Sequence, residues 1–88
     1  MEFQKDVFVG KSGLFGFVLK KKTPESVYYT ITKIHRSRVN EYPQNLIGGL
    51  LTFINGEHLY KKSIEEIHSI RSKKEYCSFN IVIKNHSS

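Results

Sequence analysis

Two glycines separated by a hydrophobic pair, in the stretch SGLFGFVL over residues 12–19, form the first pattern able to do chemistry. Glycine admits positive φ and leaves neighbouring amide N–H groups unshielded by a Cβ. A tight turn whose N–H groups point outward makes an anion-binding nest, suited to a phosphate or a carboxylate. Catalytic constellations are absent from the pattern. His35, His58, His68 and His86 show no helical His-x-x-x-His spacing, and no Cys-x-x-Cys accompanies them. Carboxylates stand singly except for Glu65 and Glu66, which a helix cap explains. No enzymatic activity, metal or cofactor is therefore expected.

One domain accommodates the strands and helix around this turn. Eighty-eight residues are enough for a single modest core, and six Phe with five Tyr argue for a packed fold over disorder. The whole of 1–88 reads as one unit, with its core at about 3–84 and a disordered tail at 85–88. With a single cysteine, Cys77, no disulfide framework forms within the chain, which suits a cytoplasmic setting. No apolar run reaches the length of a membrane span, and the N-terminal residues lack the pattern of a signal peptide.

Fourteen Lys and Arg against eight acids give a net charge of +6, in short clusters such as KKK at 20–22 and RSKK at 71–74. Anionic partners are favoured in general: peptide carboxylates, lipid headgroups or nucleic acid. Association with the anionic membrane cortex through the lysine clusters is a compatible secondary role. A single-stranded nucleic-acid binder would need exposed aromatics for stacking. The Phe residues fall at core-like positions, leaving Tyr28, Tyr42 and Tyr60 for that purpose, so nucleic acid is the disfavoured partner.

Strands dominate the chain. DVFV (6–9) alternates weakly, whereas FGFVLKK (15–21) sets Phe15, Phe17 and Leu19 on one face of a period-two strand. TPES (23–26) is a turn. VYYTITKI (27–34) alternates Val27, Tyr29 and Ile31, then slips phase to reach Ile34, which predicts a bulge or a strand end. The polar segment HRSRVNEYPQN (35–45) has room for at most one short helical turn before Pro43. LLTFING (50–56) predicts a strand closing on an Asn55-Gly56 turn, with extended structure resuming at EHL. One helix is strongly marked, because Ser63 followed by Glu66 forms a capping box and basic residues close the segment SIEEIHSIRSKK. YCSFNIVI (76–83) alternates cleanly, placing Cys77, Phe79, Ile81 and Ile83 on one face, with Cys77 as a small buried hydrophobe. The fold class is mainly β with two helices: a small, partly open antiparallel barrel or sandwich of five to six strands.

This ordered set of features resembles a PDZ domain. The family's Gly-hydrophobic-Gly-hydrophobic loop is similar to Leu14-Phe15-Gly16-Phe17. YTITKI is similar to its third strand and GGLLTFING to its strand ending in Val-Asn-Gly, and a capped helix precedes a last strand as in the family. The resemblance implies a scaffold or signalling module, monomeric in isolation, that binds the C-terminal peptide of another protein. The peptide would add as a strand to residues 17–20, in the groove between them and helix 64–72. Its carboxylate would meet the amides of Leu14, Phe15, Gly16 and Phe17, with Gly13 turning the chain before them and Lys11 adding positive potential.

Groove residues follow from the same resemblance: Val18, Leu19 and Lys20 on the strand, and Ile64, His68 and Arg71 on the helix. Positions 64, 68 and 71 fall within about 60° on one face at 100° per residue, while Ile67 and Ile70 turn to one side, toward the core. Many family members carry a histidine at the first helical position, which hydrogen-bonds a Ser or Thr two residues before the peptide's end. Ile64 there predicts an apolar ligand residue instead, the preference called class II. Arg71 occupies a position that is aliphatic in the family. Its stem either covers the terminal pocket with the charge outward, or its guanidinium clamps the carboxylate, or it obstructs the groove and leaves the domain to other protein contacts.

Overall fold

The computed structural model describes residues 2–8 and 15–83. Expectations resting on Lys11, Gly13, Leu14 and the tail at 85–88 lie outside the described residues. Six strands form one open antiparallel sheet: β1 (Glu2–Phe8), β2 (Phe17–Lys20), β3 (Tyr29–Ile34), β4 (Leu50–Ile54), β5 (Glu57–His58) and β6 (Tyr76–Val82). The strand order is β1-β6-β4-β3-β2, with β5 attached to β4. Among the described strands, β2 is therefore terminal, and its outer edge meets no other strand. The helix α1 (Ile64–Arg71) crosses between β5 and β6. No helix among the described residues is long and apolar enough to cross a membrane.

Local chemistry explains most of these elements. The Ser63 hydroxyl accepts from the Glu66 N–H at 3.2 Å, and the Glu66 carboxylate accepts from the Ser63 N–H at 3.1 Å, so α1 opens on a complete capping box. The backbone hydrogen bond from Ser63 holds the Glu66 carboxyl below its ordinary range. Asn55 and Gly56 both have positive φ, 53° and 78°, as a two-residue hairpin turn demands. The Asn55 side chain ties this turn to β6 by accepting from the Ser78 N–H at 3.0 Å.

Phe15, Phe17, Ile31, Ile34, Leu51, Ile54, Ile67, Ile70, Phe79 and Ile81 pack into one buried cluster. The alternation of β6 is realised in full, since Cys77, Phe79, Ile81 and Ile83 are all buried. Cys77 is 1% exposed, and its thiol donates to the Arg71 carbonyl at 3.4 Å, closing the chain between helix and strand. Gly49 is enclosed: a Cβ there would lie 2.6 Å from Ile81 Cγ2 and 3.0 Å from the Leu46 carbonyl oxygen.

Two elements differ from the sequence expectation. The first strand starts at Glu2 rather than at Asp6 and is described to Phe8, Val9 lying outside the described residues, because β6 supplies a full ladder from Glu2↔Val82 to Phe8↔Tyr76 that does not depend on apolar alternation. The segment expected to hold at most one short helical turn before Pro43 instead carries 3₁₀ turns on both sides of it, Arg36–Glu41 and Gln44–Leu46. Proline starts the second turn without strain, since its missing N–H would be unpaired there anyway.

Candidate functional site

The turn leading into β2 is bent by two successive residues with positive φ, Phe15 at 56° and Gly16 at 82°. For phenylalanine this conformation is disfavoured. Two tertiary contacts offset the cost: the Phe15 ring is fully buried, 4.9 Å from the ring of Phe79, and its carbonyl accepts from the Tyr42 hydroxyl at 2.9 Å. Burial pushes the Tyr42 phenol up to about 12, so it is a neutral donor at physiological pH. Tyr42, which the sequence offered as a surface for stacking bases, is thus a buried latch on the turn, 6% exposed. Of the other two candidates, Tyr28 and Tyr60 pack edge-to-face on each other at 6.1 Å, and the Tyr28 hydroxyl shares a hydrogen bond with the His58 ring.

Arg38 backs the same turn from outside. A Cβ on Gly16 would lie 2.9–3.2 Å from three carbons of the Arg38 stem. The guanidinium is fixed by a two-pronged bond to Glu41, both contacts 3.0 Å, which raises the Arg38 pKa and lowers that of Glu41. Lys5 adds a second cation, donating to the Glu41 carbonyl at 2.8 Å and lying 5.3 Å from the Tyr42 ring centre. Neither Arg38 nor the latch role of Tyr42 is marked in the sequence, because each acts across long or irregular chain segments with no periodic signal. Gly16→Ala should cost about 1–2 kcal/mol, as a left-handed backbone acquires a Cβ and the Arg38 stem is displaced. Denaturant unfolding checks this, and unchanged stability would mean the turn is not held as described.

The hydrogen bonding of β2 fixes where its free groups point. The His35 N–H donates to the Gly16 carbonyl at 2.7 Å, just beyond the Phe17–Ile34 pair, so that pair does not exchange backbone bonds. The Phe17 N–H and C=O therefore face away from β3. At the other end, Leu19 lies opposite Ile31, whose own N–H and C=O are engaged with Gly49 and Gly48 at 2.9 and 2.7 Å. Leu19 thus also turns its backbone groups outward. The register shift between Val18 and Leu19, opposite Thr32, is the bulge that the phase slip before Ile34 foretold.

Side chains divide by face. Phe17 is buried and Leu19 half-buried against the core, while Val18 projects to the opposite face and is 49% exposed; Lys20 is exposed. On α1, Ile67 and Ile70 enter the core. Ile64 is half-buried at the rim of the same cluster as Leu19, His68 is exposed and Arg71 half-buried. The structure thus brings Phe15, Phe17, Leu19 and Ile64 to one apolar cluster beneath an open strand edge.

No protein-family model matches the sequence, and no curated protein does either. Solved structures do match. The chain is similar to the PDZ domain of choanoflagellate GIPC, both bound to GAIP peptide and without it, with a TM-score of 0.75 and 17% identity over 100% of this chain and 96% of that one. It is also similar to the PDZ domain of human FERM and PDZ domain containing 1, with a TM-score of 0.63 and 19% identity over 99% and 90% of the two chains. The chain has the PDZ fold.

Proposed function

We propose that this domain is a peptide-recognition module that takes up the C-terminal segment of another protein by strand addition to β2. The observation that carries the reading is the outward-facing backbone of Phe17 and Leu19 on a terminal strand, next to a turn of two positive-φ residues. An extended peptide needs such an unpaired row of donors and acceptors, and side-chain pockets beside it give selectivity. That a structure of the same fold holds a peptide is consistent with this use.

On this reading the last ligand residue lies opposite Phe17 and the residue two before it opposite Leu19. Both side chains then share the face of those residues, because directly opposed positions on neighbouring strands point the same way. Ile64, half-buried and apolar, meets the second of them and favours an apolar or aromatic residue there. A library of free C-terminal peptides tests the reading by direct binding. The expected ranking is led by ligands with apolar residues at the last position and two before it. Ile64→His should move the second preference toward Ser or Thr, because an imidazole offers a hydrogen bond where a methyl group stood. An unchanged ranking in a folded variant would remove Ile64 from the contact.

A further inference from the structure

Val18 is the exposed apolar residue of β2, its side chain points away from the core, and it does not stand alone. Together with Lys33, Ile34, His35, Arg36 and Val39 it lines a depression of about 390 Å³ on the opposite face of the β2–β3 pair. The aliphatic lining on this face comes from Val18 and the half-buried Val39, while Ile34 turns its side chain into the core, and the rim carries the cations of Lys33 and Arg36. No acid lines it. Among the described residues, neither Lys33 nor Arg36 forms an ion pair, and the nearby Glu41 is held by Arg38. Lys33 is the cross-strand partner of Val18.

From this the geometry points to a second selectivity site, one that reads the penultimate residue of the ligand and favours glutamate. The inference rests on the strand-addition reading. A peptide residue between those opposed to Phe17 and Leu19 stands opposite Val18 and shares its face by the two-residue period of a strand. Its side chain is therefore delivered to the depression. An aliphatic stem of two methylenes covers the exposed Val18, and an anionic head reaches the Lys33 and Arg36 rim. Glutamate joins those two properties, whereas a lysine there brings a third cation to the two already present.

The test uses three peptides with free carboxyl termini that differ only at the penultimate position, Glu, Ala or Lys, titrated against the domain by fluorescence anisotropy at low and physiological salt. The expected order is Glu, then Ala, then Lys. Glu should exceed Lys by about tenfold at low salt, as two partly exposed cations acting on one charge allow, and by less as salt rises. In the variant Lys33→Glu with Arg36→Glu, both at exposed positions, the order should invert to Lys, then Ala, then Glu. Equal affinity of the Glu and Lys peptides, with all three binding, overturns this inference and leaves strand addition standing. Failure of all three to bind overturns the strand-addition reading and this inference with it.

Discussion

Phe79→Ala should destabilise the domain by about 3–5 kcal/mol, the range for truncating a buried aromatic. Phe79 is fully buried, and its ring centre lies 4.9 Å from that of Phe15, 5.3 Å from Phe17, 6.0 Å from Tyr42 and 6.2 Å from Phe3. It is the point where the turn before β2, the first strand and the Tyr42 latch meet. Such a loss is a large part of the stability expected for a domain of this size, about 5–15 kcal/mol. Urea unfolding followed by fluorescence or far-UV circular dichroism measures it. Because Phe15 and Phe17 lean on the same ring, peptide affinity should fall with stability even though Phe79 touches no ligand. A loss under about 1 kcal/mol would mean that the cluster repacks freely and does not hold the turn in place.

Local signals were legible in the sequence, and tertiary ones were not. The Ser63–Glu66 box, the Asn55-Gly56 turn and the alternation of β6 each depend on residues within a few positions, and each forms as the spacing dictates. The slip between Ile31 and Ile34 marked the bulge because an extra residue must shift the period. The N-terminal half of β1 was hidden: Glu2, Gln4 and Lys5 are polar, and only the ladder to β6 makes them a strand. The 3₁₀ turns around Pro43 had no hydrophobic period to announce them. Tyr42 was read as an exposed aromatic, and its buried latch role went unseen because its partner is a carbonyl 27 residues away. Val18 was grouped with its neighbours by chain position. The period-two rule already sets it across from Phe17 and Leu19, on the face where the basic depression lies.

The proposed strand addition at β2 makes the domain a reader of chain ends. A terminal carboxylate carries a full negative charge and accepts hydrogen bonds on two oxygens. The corresponding primary amide is neutral and turns an NH₂ group toward backbone donors. Charge-assisted bonds of this kind contribute about 1.5–3 kcal/mol each, so losing even one exceeds the energy of a tenfold change, about 1.4 kcal/mol. Any peptide that binds by strand addition at β2 should therefore lose at least tenfold in affinity when its C-terminus is amidated. Isothermal titration of the acid and the amide of one peptide against the folded domain is the direct measurement. A ratio of ten or more in favour of the acid is expected, and equal affinity of the two forms would rule out recognition of the terminal carboxylate.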